Sequence, residues 1–299
     1  MKVLITGATN GMGKGVARAL ATHPNVELVL LGRSQPLLAQ TSDELARLST
    51  PARISTIRCD LSRLREVREA ISEFRSRHTT LDAIFINAGI GYAPRHDVTE
   101  DRLDAHFQVN YLSQFMLTLN LLDLLEGSQH GGRVVFNTPS FGELKFDDLQ
   151  LEKEWNYELA LGQGMAAKRL FFTRLHELYE RRAPRVSCFG FEIPKTVWTN
   201  QINLIPFAMR AAATVMKAFG QFISIDACGQ LMAPLFLEGQ AESAERSGHL
   251  ITHANGMLCP HPKPPTVLDA AQRERLWKVS LDLCADEATT RAAGRLTRP

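Results

Sequence analysis

One junction constrains this chain more than any other feature: TGATNGMG (6–13), which follows the short apolar run VLIT (3–6) and opens a helical pattern. Glycine at such a turn permits positive φ and lets backbone N–H groups approach an anion at the helix N-terminus. A glycine triplet by itself is a weak signal; its place on the first strand of a β/α alternation gives it force. Further apolar runs at 26–32, 54–60, 81–87, 133–138 and 185–191 alternate with helical patterns at 13–22, 42–48, 64–77, 101–125 and 158–180. The runs are almost unbrokenly apolar, as strands covered on both faces must be. Such a chain is expected to build an α/β fold, a doubly wound parallel sheet with right-handed crossovers.

After residue 195 the rhythm breaks. IPFAMRAAATVMKAFGQF is apolar and helical in pattern, interrupted only by Arg210 and Lys217. The segment 202–225 is expected to pack as a helical flap over the substrate side. A subunit contact and a membrane-surface helix are the other readings. It is too charged to span a bilayer, and nowhere do 18 consecutive apolar residues occur, so no transmembrane segment is expected. The formal net charge of +2, with no Lys/Arg run, argues against a nucleic-acid surface. RERLWK and RAAGRLTRP near the end read as a solvated helix and a frayed tail. Five scattered cysteines with no CxxC pair argue against a disulfide framework. MKVLITGATN has no signal-peptide shape, and a cytoplasmic protein is expected.

The second apolar run ends in LLGRSQ. A site for NAD places an acid here to bind the ribose 2′-OH. This chain places Arg33 and Ser34, and a guanidinium suits a 2′-phosphate through a forked, charge-assisted pair. NADP(H) is therefore the expected cofactor, held at Gly7, Thr9, Asn10, Gly11, Met12 and Gly13. CDLS puts Asp60 and Leu61 at the end of the third run, beside the adenine position, and NAGIG (87–91) ends the fourth. In this order TGxxxGxG, DL, NAG and FQVNYLSQF resemble the short-chain dehydrogenase/reductase family, over essentially the whole chain. FDDLQLEKEW (146–155), LFFTRL and RERLWKVSLDL (273–283) resemble its retinol-dehydrogenase-like branch. The resemblance implies a Rossmann-like single domain over 1–299, with a cofactor-binding core in 1–195 and a substrate flap and C-terminal elements in 196–299. It further implies that Asn87, Ala88 and Gly89 line the cofactor, that Asn110 anchors a proton-relay water, and that Thr196 contacts the carboxamide.

At the reaction end the family pattern fails. Family members reduce a carbonyl with a serine that holds its oxygen, a tyrosine that donates the proton, and a lysine one helical turn on that lowers the tyrosine pKa. Here the tyrosine position falls on Leu161 and the lysine position on Met165, within ALGQGMAAK (160–168). The serine position falls on Pro139, with Thr138 and Ser140 beside it; Ser140 can substitute if the loop shifts by one residue. The family's Pro-Gly after the sixth strand reads Phe191-Glu192. Tyr157 and Lys168 do not restore the pair, since the eleven-residue step from one to the other along a helix spans roughly 16 Å. Tyr157 is expected near the helix start. Lys168 either approaches the cofactor ribose or lies on the surface.

The expected protein is an atypical NADP(H)-binding oxidoreductase of a small organic metabolite, working without the Tyr/Lys pair. Its catalytic candidates are Ser140, Asn110, Glu192 and Tyr157. Glu192 replaces a glycine near the nicotinamide, where burial raises a carboxyl pKa. It fits two chemistries: a recruited acid, or a carboxylate that stabilises an already cationic acceptor such as an iminium. A non-redox cyclase, isomerase or dehydratase on the same scaffold, and a catalytically silent cofactor-binding or regulatory protein, are the alternatives. HLITH (249–253) carries i,i+4 histidines that suit a metal on a helix. Read as a strand, it spaces them roughly 13 Å apart, and no metal site is expected. No GxSxG elbow is present. The expected partner is a small-molecule substrate, and a homodimer is open.

Overall fold

The computed structural model describes residues 1–48, 53–180, 182, 186–262 and 270–297. Its strands are β1 (Lys2–Thr6), β2 (Glu27–Gly32), β3 (Arg53–Arg58), β4 (Ala83–Ile86), β5 (Arg133–Asn137), β6 (Ser187–Phe191), β7 (Thr196–Val197), β8 (Phe222–Ile223), β9 (Leu250–Ala254) and β10 (Met257–Pro260). Between β1 and β5 lie α1 (Gly11–Ala21), α2 (Gln35–Ala46), α3 (Leu64–Arg77), α4 (Ala105–Phe107), a π-helical turn (Gln108–Leu112), α5 (Ser113–Leu119) and α6 (Leu122–Glu126). Then come α7 (Tyr157–Glu180), a 3-10 turn (Asn200–Asn203), α8 (Phe207–Ala218), α9 (Ile225–Met232), α10 (Pro234–Leu237), α11 (Gln240–Arg246), α12 (Ala270–Cys284) and α13 (Glu287–Thr297).

The main sheet runs β10-β9-β6-β5-β4-β1-β2-β3. Every pairing in it is parallel except the β9–β10 hairpin at one edge. This is a Rossmann-like α/β architecture. The chain winds outward from β1 to β3, then crosses back to place β4 on the other side of β1. That reversal opens a crevice at the strands' C-terminal ends, the usual position of a ligand in open α/β sheets. TGATNGMG and NAGIG both end there. One face of the sheet carries Phe107, Phe115, Phe171 and Trp277; the other carries Val16, Leu20, Met232 and Phe236. Each buried side chain of this size contributes about 1.5–3 kcal/mol relative to exposure.

Several elements depart from the sequence pattern. Helix α2 starts at Gln35, because Pro36 occupies the first turn, where a missing N–H costs nothing. The long pattern at 101–125 is divided: Asp104 caps its start by accepting from Phe107 N at 2.8 Å, and a π-helical turn interrupts it. The expected frayed tail is the helix α13, whose Ala292, Ala293 and Leu296 are buried; its last two residues lie outside the described residues. Likewise RERLWK is not fully solvated, since Leu276 and Trp277 of α12 are buried in the core. Arg185, the first residue of the sixth apolar run, also lies outside the described residues. HLITH falls on Leu250–Ala254 as β9, an added strand of the main sheet.

The segment after β6 behaves differently from the expected packed flap. Its α9 crosses α1 so closely that a Cβ on Gly229 would collide with Gly15 O. By contrast α8 buries only Ala213. No described helix is long and apolar enough to cross a membrane.

Candidate active site

The glycine turn is built from backbone requirements. Gly7 and Gly11 hold φ of +67° and +55°. A Cβ on Gly13 would collide with Gly7 O and lie 2.6 Å from Asn87 Nδ2, so any larger residue would force the turn away from β4. Asn10 caps α1 by accepting from Gly11 N at 2.8 Å. Thr9 and Met12 are partly exposed in the same turn. Asn87 ties the turn to β4: its Nδ2 donates to Thr6 O at 3.0 Å. Beneath it, the buried Thr6 hydroxyl accepts from Asn87 N and Ala88 N at 2.9 and 3.0 Å. That hydroxyl also lies 2.9 Å from Gln114 Oε1, and Gln114 Nε2 donates to Ala88 O at 2.9 Å and lies 3.0 Å from Asn110 O. Thr6 and Gln114 thus brace the crevice floor; they fall within TGxxxGxG and FQVNYLSQF, but those motifs assign neither a role. Gln114 sits one turn after Asn110 in FQVNYLSQF.

The remaining cofactor candidates surround the same crevice. Arg33 is exposed at the end of β2, and Ser34 precedes α2. Asp60 accepts from both the amide and the hydroxyl of Ser62, at 3.0 and 2.8 Å, and Leu61 is buried beside it. Gly89 lies against Asn110, where a Cβ would stand 3.1 Å from Asn110 Oδ1, tighter than ordinary contact. Thr196 is exposed and pairs with Phe222 across the small β7–β8 sheet. It is Thr199, which the sequence motifs do not single out, whose methyl comes within 3.3 Å of a Cβ position on Gly11.

The catalytic candidates do not converge on one point. Asn110 is fully buried in the π-helical turn; its Oδ1 accepts from Ile90 N at 2.6 Å and its Nδ2 donates to Ile90 O at 3.0 Å. Tyr157 stands at the start of α7, ring to ring with Tyr92, and donates to Glu158 at 3.2 Å. Partial desolvation and that neighbouring carboxylate push its phenol above the ordinary range. A lysine beside a tyrosine would act in the opposite direction.

Helix α7 carries two buried cations in place of a surface lysine. Lys168 is 1% exposed, and its Nζ donates to Asn137 O at 3.2 Å. Burial lowers its amine to about 7. Arg169 follows, also buried, and grips the loop after β5: it donates to Pro139 O, Phe141 O and Gly142 O at 2.7, 2.6 and 2.7 Å. Desolvation lowers its guanidinium to about 10. Thr138 Oγ1 donates to Met165 O at 3.1 Å, closing the loop onto α7.

Glu192 holds the same loop from the other side. Its Oε2 accepts from Ser140 N at 2.9 Å and lies 3.1 Å from His261 Nε2. The loop at 139–142 is therefore fixed between Arg169 and Glu192. Of the sequence candidates, Ser140 and Glu192 are brought together; Tyr157 hydrogen-bonds within its own turn and makes no bond to either. His261, which in the sequence merely follows the HLITH motif, joins Glu192. Their pairing is invisible in a linear reading because 69 positions of chain separate the two.

The fold and its glycine turn have known counterparts. A family model described as short chain dehydrogenase matches residues 1–148. A protein of Streptomyces sp. (strain C5), provisionally named daunorubicin C-13 ketoreductase DnrU, is 28% identical over 96% of this chain and 93% of its own. Retinol dehydrogenase 14 of Mus musculus is 31% identical over 58% of this chain, and the match spans only 55% of that relative's length. Among solved structures, L-sorbose reductase from Gluconobacter frateurii, complexed with NADPH and L-sorbose, superposes with a TM-score of 0.66 at 15% identity, covering 86% of this chain and 95% of that one.

Proposed function

This chain belongs to the short-chain dehydrogenase/reductase family, and on that premise we propose that it is an NADP(H)-dependent oxidoreductase of a small organic metabolite whose reacting end is served by Glu192 rather than by a Tyr/Lys pair. The residues present fit the cofactor: Gly13 lets the glycine turn close against Gly7 O and Asn87 at the start of α1, and Arg33 offers an exposed guanidinium at the end of β2. Gly7, Thr9, Asn10, Gly11, Met12 and Gly13 would hold the pyrophosphate, Arg33 and Ser34 the 2′-phosphate, Asp60 and Leu61 the adenine, and Asn87, Ala88 and Gly89 the central part. Thr196 would lie toward the carboxamide. When bound, the cofactor supplies or accepts the hydride.

The observation that carries the reading is the exchange of chemistry on α7 and β6. The family's tyrosine and lysine positions fall on Leu161 and Met165, which cannot donate a proton. A carboxylate instead stands beside the loop where the family's serine would be, bound to Ser140 N. A neutral ketone reduced here would lack positioned general acid catalysis, a loss of about 10²–10⁴-fold. A cationic acceptor such as an iminium develops no oxyanion, and a carboxylate nearby favours it by charge attraction. The fixed loop at 139–142 supplies orientation.

The test is absorbance of reduced nicotinamide with paired substrates, a ketone and the matching iminium. Oxidation of NADPH that is faster with the iminium is the expected result. Conversion of a substrate without cofactor turnover would point to a cyclase, isomerase or dehydratase. Rapid ketone reduction, equal to that of the iminium, would remove the role given to Glu192.

A further inference from the structure

We propose that the segment around α8 is a docking surface for a lipid bilayer containing anionic lipid, with the helix lying in the plane of the interface. The inference stands apart from the redox reading and rests on exposure, charge and aromatic placement. Leu204, Phe207, Val215, Met216 and Phe219 are exposed, Phe207 to 76% and Phe219 to 78%. At 100° per residue, Phe207, Ala208, Ala211, Ala212, Val215, Met216 and Phe219 share one broad arc of the helix. Arg210 and Lys217 occupy the opposite edge, next to the single buried residue, Ala213, and Thr214 lies at the border beside Phe207. An apolar surface of this breadth on a body otherwise well packed marks an interaction site.

Charge selects the occupant. From 193 to 225 the sequence contains no Asp or Glu, while Lys195, Arg210 and Lys217 are cationic. The two helix cations lean on aromatic rings: Lys217 Nζ lies 4.1 Å from the Trp198 centroid, and Arg210 lies 5.7 Å from that of Phe207. Trp198 in turn meets Phe222 edge to face at 5.2 Å. Aromatic rings with cations beside them, above an apolar helix face, match the headgroup level of a bilayer. A helix of 12 residues is about 18 Å long, too short to span, so it lies on the surface.

The placement also matters for access. Trp198 leads directly into Thr199, which sits against Gly11 at the crevice. Docking through α8 would therefore set the crevice mouth close to the lipid phase, where an apolar substrate is concentrated.

The test is sedimentation of the full chain with vesicles of phosphatidylcholine alone or with 30 mole per cent phosphatidylglycerol. Binding about 10- to 100-fold tighter to the anionic vesicles is expected, and lost in high salt. Arg210→Glu with Lys217→Glu should abolish the preference. Phe207→Ser with Phe219→Ser should abolish binding to both vesicles without lowering Tm, because both side chains are mostly exposed. Equal or absent sedimentation of the wild type with both vesicles overturns the proposal. So does conversion from dimer to monomer by the Phe207→Ser/Phe219→Ser variant in a protein that ignores vesicles, which would make the face a contact between copies.

Discussion

Glu192 accepts the Ser140 amide hydrogen at 2.9 Å and, with the 3.1 Å bond from Thr138 N to Phe191 O, fixes the end of β6 to the loop after β5. The carboxylate thus has a mechanical task as well as the proposed electrostatic one, and a neutral isostere separates them. Glu192→Gln retains an oxygen for Ser140 N and removes the charge. Turnover of a cationic acceptor should fall about 100-fold while Tm stays within about 2 °C. Unchanged turnover would leave Glu192 as a loop clasp only.

Arg33 offers a cleaner test of the cofactor. It is exposed and pairs with no acid among the described residues, so its removal disturbs little of the fold. Charge-assisted hydrogen bonds contribute about 1.5–3 kcal/mol, so Arg33→Ala should weaken NADPH about 10- to 100-fold and NADH hardly at all. Titration of both cofactors by fluorescence measures this, and equal losses would dismiss the preference for the 2′-phosphate.

Lys168 makes stability depend on pH. Its amine is lowered to about 7 in the fold against 10.5 unfolded. Below pH 7 both states bind the proton, and the full cost of charging a buried amine is present, on the order of 4–5 kcal/mol. Between pH 7 and 10.5 the unfolded chain binds more protons, so stability rises with pH as that cost is relieved. Lys168→Met should therefore stabilise the protein most at pH 6, with the advantage smaller by roughly 2–3 kcal/mol at pH 9. Urea unfolding at the two pH values reads the difference; an advantage independent of pH would mean that burial does not penalise the charged amine.

Arg169 should be the costliest of these residues to remove. Arg169→Leu leaves the carbonyls of Pro139, Phe141 and Gly142 without their donor. Buried acceptors stripped of partners cost about 1–3 kcal/mol each, softened where water enters. A Tm loss of about 6–12 °C is expected, together with faster amide exchange through 139–142. Normal stability would show that the loop is held chiefly by Glu192.

The succession of strands, the glycine turn and the approximate helix spans are legible because each is written in short-range pattern. VLIT and the runs after it are apolar on both faces, and α3 is bounded at Leu64 and Arg77 by its own periodicity. The start of α2 at Gln35 is hard to read because Pro36 signals both a turn and a first helical residue. The β9–β10 hairpin is faint because its strands are short and follow a segment without β/α rhythm. Lys168 is the harder case: a lysine one turn past Met165 has the same letters whether it points to solvent or into the core.

What the sequence determined alone was the succession of strands and helices through β6, the glycine turn, and the aliphatic residues at Leu161 and Met165. These follow from neighbours within a few residues, whose spacing carries the information. What the tertiary structure decided was which distant groups meet: Ser140 with Glu192, 52 residues apart, and Arg169 with the loop 27 to 30 residues before it. It also decided that Lys168 is buried while Phe207 and Phe219 are exposed. Burial and long-range pairing depend on how whole elements pack, and local periodicity does not record which face of a helix finds a partner.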